Sequence, residues 1–196
     1  MLDLGAGHAA DAVLDELFTR HREAHRHYHT LTHVGHVLRA AGELMAAVPV
    51  ADPLAVRLAA WFHDAIYEPR SATNEDDSAA LAARLLPGAG ATSECVRAVE
   101  RLVRATAHHD PGADDEAVLV DADLGVLAAE PAGYDAYAHQ VRAEYAHLDD
   151  TAWRRGRAMV LQRLLDRPRL FHTPPMRAHE QRARANMAAE LHGLDL

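Results

Sequence analysis

The sequence predicts an all-α protein. Apolar residues recur three or four positions apart through nearly the whole chain, which is the spacing of amphipathic helices. No segment alternates polar and apolar residues convincingly enough to predict a β-strand. The short apolar run 118–120 is compatible with a strand, but it leads more easily into a helix that holds Asp123. The length of 196 residues suits one domain with its own hydrophobic core.

Capping residues indicate where the helices begin and end. Thr32 is the expected N-cap of the second helix, which ends at Pro49. Asp52 and Pro53 are the residue types expected at the N-cap and first position of the third helix, which runs to about Asp64. This third helix is apolar on nearly every side, which indicates a central position in the core. The predicted helices lie around 13–18, 34–48, 54–64, 74–86, 93–107, 116–130, 131–147, 151–167 and 176–192.

Composition and charge exclude several classes of function. The net charge of −9 argues against nonspecific binding to duplex nucleic acid. No apolar run approaches the roughly 20 residues that span a bilayer, and the N-terminus does not resemble a signal peptide. The single cysteine, Cys95, cannot form an internal disulfide and is expected to pack as a small side chain. We therefore expect a cytoplasmic protein without a membrane partner, whose oligomeric state stays open.

Four titratable residues lie at positions that face the predicted core. His33 is in the first turn of the second helix, at the edge of its apolar stripe, and His63 and Asp64 end the most apolar helix of the chain. Asp123 shares a helix face with apolar residues, and a buried carboxylate needs a partner or a metal. Taken singly, His33 could be a packing histidine and Asp123 half of an ion pair. Together, two imidazoles and two carboxylates suit Mn²⁺, Fe²⁺, Co²⁺, Ni²⁺ or Zn²⁺ better than Mg²⁺.

The ordered set His33, His63-Asp64 and Asp123 resembles the H…HD…D signature of the HD superfamily of metal-dependent phosphohydrolases. The segments "YHTLTHV", "WFHDAIYEPRSATNEDDSA", "DADLGVL", "YDAYAHQVRAEY" and "ARANMAAE" are similar to a subgroup of predicted HD hydrolases of about this length. The resemblance covers most of the chain and implies a single-domain HD-type helical bundle over residues 1–196. It also implies that the four residues hold one divalent metal ion. It does not identify the substrate.

The expected activity is hydrolysis of a small phosphorylated molecule, such as a nucleotide or another phosphomonoester, by metal-activated water. Glu75 is the first choice for a residue that carries a proton, and Glu68 is the second because it follows the HD pair most closely. A helix-start role is the alternative for Glu75. His109 is expected on the substrate side of the site, and Asn74 and Ser78 are expected to help position the substrate.

Two other functions fit the same residues. One is a non-catalytic HD module that senses a nucleotide, and the other is a helical scaffold in which the four residues are only polar groups of the core. Asp121 is expected to cap the helix that contains it. The remaining expectations are that His21, His25 and His27 are solvated, that Tyr134, Tyr137 and Tyr145 form a packing stripe, and that Arg154, Arg155 and Arg157 form a solvated face.

Overall fold

The structure, a computed structural model, describes residues 7–194 as a succession of helices. Within this part of the chain there is no β-strand, which confirms the predicted all-α class. None of these helices is long and apolar enough to cross a membrane. The elements are α1 (His8–Arg20), α2 (Leu31–Met45), α3 (Pro53–Phe62), α4 (Asn74–Leu85), α5 (Ser93–His108), α6 (Asp114–Asp123), a 3-10 helix (Leu124–Ala128), α7 (Pro131–Glu144), α8 (Asp150–Leu165), α9 (Pro174–Arg177) and α10 (Glu180–Gly193).

The helix α3 lies at the centre of the larger core. Its start is as predicted, because Oδ1 of Asp52 accepts hydrogen bonds from the main-chain N–H groups of Leu54 and Ala55 at 3.0 and 2.9 Å. Six of its ten residues are buried, and α2, α4, α5 and α6 all pack against it. His63 is the C-cap, so His63 and Asp64 leave the end of a buried helix.

Two hydrophobic clusters meet at α6. The first is formed by α1 to α6, and the second lies among the 3-10 helix, α7, α8, α10 and the segment before α9. Val118 and Leu119 belong to the first cluster, whereas Val120 belongs to the second. Asp123, the last residue of α6, therefore lies close to the junction of the two clusters.

Some helix boundaries differ from the predicted ones. The N-cap of α2 is Thr30, whose side chain accepts a hydrogen bond from the N–H of Thr32 at 3.3 Å. The sequence "HTLTH" has no feature that distinguishes the two threonines, and the prediction of Thr32 as the N-cap was wrong. The segment predicted as one helix over 176–192 is divided into α9 and α10. At the start of α10, Glu180 accepts hydrogen bonds from the N–H groups of Leu170 and Phe171.

Asp121 does not cap the helix that contains it. It lies in the last turn of α6 and is fully buried. Its carboxylate accepts hydrogen bonds from the main-chain N–H groups of His172 and Thr173 and from the Thr173 hydroxyl, at 2.6 to 3.0 Å. The expectation was wrong because these donors come from a segment about 50 residues away, which connects α8 to α9. Asp121 therefore anchors that segment to the core.

His21 is buried, in contrast to its expected solvation. Its Nε2–H donates to the carbonyl of Trp61 at 3.1 Å, while Nδ1 has no partner among the described residues. Burial lowers the pKa of His21 to about 4. His25 and His27 are both exposed, as expected, although His25 Nε2 also bonds to the carbonyl of Tyr67 at 2.8 Å.

We expect acid to weaken the fold through His21. Its folded-state pKa lies below the value of the unfolded chain, so its contribution to stability is present above pH 6.5 and is lost as the pH falls towards 4. Because one proton is taken up on unfolding, the free energy of unfolding should fall by up to about 1.4 kcal/mol for each pH unit in this window. We expect the free energy of unfolding in urea to fall less between pH 7 and pH 5 for His21→Gln than for the wild type. The control His27→Gln, at an exposed site, should lose as much unfolding free energy as the wild type. An equal decrease in all three proteins would contradict the prediction.

Candidate metal centre

Three helices bring the four predicted ligands together. His33 comes from the first turn of α2, His63 and Asp64 from the end of α3, and Asp123 from the end of α6. One ligand atom of each residue lies within 4.8 Å of the corresponding atoms of the other three. Because α2, α3 and α6 pack against one another in the core, the packing that buries these helices also assembles the cluster.

The distances within the cluster match those between ligands of one cation. His33 Nε2 lies 3.1 Å from His63 Nε2 and 3.2 Å from Asp123 Oδ1, and His63 Nε2 lies 3.0 Å from Asp64 Oδ2. The other two distances between histidine and aspartate are 3.5 and 3.6 Å. Ligands about 2.0–2.2 Å from a metal are separated by about 3.0–3.5 Å when they are neighbours in its coordination shell. The cluster can therefore hold a metal ion.

The hydrogen bond at the far side of the His63 ring prepares its Nε2 as a ligand. His63 Nδ1–H donates to the carbonyl of Ala60 at 3.0 Å. In the neutral imidazole the lone pair is then on Nε2, which faces His33 Nε2. Either a proton on His33 Nε2 or a cation must therefore lie between the two rings, because without one the two lone pairs would repel each other. A metal ion meets this need and is also attracted by the two carboxylates.

The cluster stabilises positive charge strongly. Burial opposes the charged form of His63, but the Asp64 and Asp123 carboxylates outweigh it and raise the pKa of His63 well above its usual value. The pKa of His33 is raised for the same reasons. Burial opposes the charged form of Asp64 and Asp123, yet the histidines around them hold the pKa of both carboxyls well below the usual range. The carboxylates therefore stay ionised and available to a cation.

A cavity of about 420 Å³ opens beside the cluster, a size typical of small-molecule sites. Asp64 and Asp123 form part of its wall, whereas His33 and His63 lie behind them and are almost fully buried. A cation held by the four residues would therefore face the cavity through its carboxylate ligands.

The two glutamates predicted to carry protons differ in their relation to this cavity. Glu75, in the first turn of α4, lies half-buried in its wall. Glu68 is exposed, is not part of the wall, and accepts a hydrogen bond from the N–H of Arg70 at 3.3 Å. Of the two, Glu75 is therefore the one placed to reach a molecule in the cavity.

Of the two residues predicted to help position the substrate, Asn74 lines the cavity and Ser78 does not. Asn74 lines the cavity and exchanges two hydrogen bonds of 3.0 Å with the main chain of Glu68, so it holds the loop before α4. Ser78 is fully buried and exchanges hydrogen bonds with the main chain of Ile66. Its hydroxyl therefore holds the turn after α3, and Ser78 does not line the cavity.

His109 lies beside the cluster of His33, His63, Asp64 and Asp123. It is the C-cap of α5, in the left-handed conformation at φ 50°, and its Nε2 lies 3.3 Å from Asp123 Oδ2. Arg167 donates a hydrogen bond to the carbonyl of His109 at 2.6 Å and another to that of His108. His109 also lines the cavity, so it is placed both to orient Asp123 and to meet a bound molecule.

His29 and the buried Glu144 form a pair that the sequence did not predict. Glu144 Oε1 accepts hydrogen bonds from three successive main-chain N–H groups, those of residues 27 to 29, at 2.8 to 2.9 Å. Its Oε2 accepts from His29 Nδ1–H at 2.7 Å and from the Tyr67 hydroxyl at 2.9 Å. Burial opposes the charged form, but these donors lower the pKa of Glu144 to about 2.

This pair orients the His29 ring within the cavity wall, since Glu144 takes up Nδ1 and leaves Nε2 available. The ring centroid of His29 lies 5.7 Å from that of His33. The one local signal for His29 is its position four residues before His33. Glu144 is 115 residues further along the chain, and no sequence pattern connects it to His29.

Arg157 is buried, and its expected place on a solvated face was wrong. Its side chain is 6% exposed and forms a bidentate ion pair with Glu190 of α10, with nitrogen–oxygen distances of 2.7 and 2.9 Å. Among the three tyrosines, Tyr134 is buried and donates to Glu190 at 2.6 Å. Tyr137 and Tyr145 line the cavity, so the predicted packing stripe is also part of its wall.

Comparisons with known proteins leave the site to be interpreted from its own residues. No family model, no curated protein and no solved structure matches this chain.

Proposed function

We propose that this protein is a metal-dependent phosphohydrolase of the HD type that acts on a small phosphorylated molecule. The observation that supports the proposal is the convergence of His33, His63, Asp64 and Asp123 at the wall of a small-molecule cavity. Two imidazoles among the donors favour Mn²⁺, Fe²⁺, Co²⁺, Ni²⁺ or Zn²⁺ over Mg²⁺. One such ion would be held by the four residues.

The residues around the cluster supply the parts of a hydrolytic reaction. When bound, the cation supplies Lewis acidity that lowers the pKa of a water and offsets charge developing on phosphorus. Glu75 accepts a proton from the attacking water, which forms the new oxygen–phosphorus bond. His29, oriented by Glu144, donates a proton to the leaving oxygen as its bond to phosphorus breaks. His109 holds the Asp123 carboxylate in place.

Metal removal and reconstitution test the proposal. Protein treated with a chelator should not hydrolyse phosphomonoesters such as 4-nitrophenyl phosphate, and activity should return with about one equivalent of Mn²⁺, Co²⁺, Ni²⁺, Zn²⁺ or Fe²⁺. Mg²⁺ should restore it less well. A chelator-treated protein that keeps its full activity would contradict the proposal. Metal binding without turnover, together with a nucleotide that raises the melting temperature, would instead indicate a sensing module.

Glu144→Gln tests the positioning of His29. The amide oxygen can still accept hydrogen bonds from the three main-chain N–H groups. The amide nitrogen, however, would donate to His29 Nδ1 and favour the tautomer that has its proton on Nε2 in place of Nδ1. We expect kcat to fall about 10- to 100-fold, as for other residues that orient active-site histidines, with metal content and KM little changed. Unchanged kcat at unchanged metal content would show that His29 takes no part in the reaction. A pH profile of kcat that loses its alkaline limb would support the assigned role.

A further inference from the structure

The part of the cavity wall formed by α7, α8 and the 3-10 helix is lined mainly by aliphatic and aromatic side chains. The helix α7 contributes Tyr137 and Val141, its C-cap residue Tyr145 follows at the same spacing of four, and α8 contributes Val160 and Leu164. The 3-10 helix that follows Asp123 adds further aliphatic side chains, namely Leu124, Val126 and Leu127. None of these eight residues carries a charge. A ligand that reaches beyond the cluster therefore meets aliphatic and aromatic side chains.

The one charged side chain in this part of the wall is already paired. Arg157 donates two hydrogen bonds to Glu190 and two longer ones to the Tyr137 hydroxyl, at 3.3 and 3.4 Å. A second phosphate or a carboxylate on the ligand would have to compete with Glu190 for this guanidinium. Desolvating such a group without a new partner is unfavourable. The wall therefore disfavours a second anionic group.

The aromatic lining begins directly at the metal cluster. The ring of Tyr28 lies 4.7 Å, between centroids, from both His33 and Tyr137. A single ring thus separates a predicted metal ligand from the apolar face of α7. A group esterified to a phosphate at the cluster would therefore be placed against Tyr28 and Tyr137, whose rings favour packing with another ring.

We propose that the substrate is a phosphomonoester with one phosphate group and an aromatic or similarly apolar leaving alcohol. This inference rests on the proposed phosphohydrolase function. A sugar phosphate would bury hydroxyl groups against aliphatic side chains that offer them no hydrogen bonds, and within this wall it would depend on the tyrosine hydroxyls as partners. A polyphosphate would place charge in the apolar part of the wall, where the Arg157 guanidinium is already engaged by Glu190.

Benzyl phosphate and glycerol 3-phosphate provide a direct comparison, because both release a primary alcohol. A difference in rate then reports the contacts of the leaving group more than its chemical reactivity. With the Mn²⁺-loaded protein, we expect kcat/KM to be about tenfold higher for benzyl phosphate. Equal values, or a preference for glycerol 3-phosphate, would overturn the inference and leave the phosphohydrolase function intact.

A binding measurement separates the inference from the proposed function. Benzylphosphonate and 2-hydroxyethylphosphonate cannot be hydrolysed as phosphate esters, and calorimetry on the metal-loaded protein should show about tenfold tighter binding of the benzyl compound. If it binds more tightly but no ester is hydrolysed, the ligand class holds and the phosphohydrolase proposal fails. Equal binding, or no binding of either compound, would overturn the ligand class.

Two neighbouring residues of α8 provide a variant and its matched control. Val160 lines the cavity and is 45% exposed, whereas Met159 is 59% exposed and does not line it. Val160→Asn should lower the ratio of kcat/KM between benzyl phosphate and glycerol 3-phosphate several-fold, and Met159→Asn should leave the ratio unchanged. Both sites are exposed enough for the fold to tolerate the change. A ratio that is unaffected in Val160→Asn, or equally lowered in Met159→Asn, would contradict the assignment of this wall.

Discussion

Replacing Asp64 by alanine should remove both the bound metal and the hydrolytic activity. Asp64 Oδ2 is 3.0 Å from His63 Nε2 and 3.5 Å from His33 Nε2, so the substitution removes a charged ligand from the middle of the cluster. Changing a residue that merely orients a ligand costs about 10- to 100-fold in affinity or activity, and loss of a ligand should cost more. Metal content after dialysis and the rate of phosphate release measure the two effects.

The fold should survive this substitution. The Asp64 side chain lies in the turn after α3 and points to the cavity, so its loss leaves no void in the apolar core. A suitable control is Asp76→Ala, since Asp76 is an exposed acid paired with Arg104 at 2.9 Å. It should keep both metal and activity. An Asp64→Ala protein that retains a full equivalent of metal and wild-type turnover would contradict the proposed metal centre.

Replacing Glu75 by glutamine should lower kcat about 100- to 10,000-fold, because general-base catalysis usually contributes a factor of this size. The metal content should not change. Glu75 lies in the cavity wall but outside the metal cluster, so the effect should fall on the chemical step and leave metal content unchanged. Glutamine keeps the size of the side chain and removes its ability to accept a proton. Stopped-time assays at saturating substrate measure the effect.

Glu68→Gln is the matched control for this experiment. Glu68 is an acid of the same type from the same stretch of chain, yet it is exposed and outside the cavity wall. It should retain activity close to that of the wild type. The reverse result, with loss of activity in Glu68→Gln and none in Glu75→Gln, would exchange their roles. Equal activity of both variants with the wild type would mean that neither glutamate carries the proton.

The all-helical class and the centre of the core could be predicted because they depend on local patterns. The spacing of apolar residues is a property of short segments, and Asp52 and Pro53 begin α3 through hydrogen bonds within two or three residues. The apolar character of α3 on nearly all sides correctly predicted its burial. The same helix carries His63 and Asp64 at its end, so the sequence already placed two of the four candidate ligands near the core.

The sequence indicated which residues could form the cluster, namely His33, His63, Asp64 and Asp123. It did not show that they lie next to one another. Each of these residues is on, or directly follows, the apolar face of a helix, which indicates burial without indicating a neighbour. The packing of α2, α3 and α6 decides that their ligand atoms lie within 4.8 Å of one another. Of the two glutamates, the cavity distinguishes Glu75 from Glu68, whereas their sequence positions do not.

The sequence by itself determined the helices, the central α3 and the set of residues able to bind a metal. The tertiary structure alone decided the partners of buried polar groups, as in the pairs His29–Glu144 and Arg157–Glu190. The physical reason is that a polar side chain is buried where a distant segment supplies its hydrogen bonds or opposite charge. Local periodicity reports how apolar a segment is, but it has no information about which remote segment satisfies a polar group.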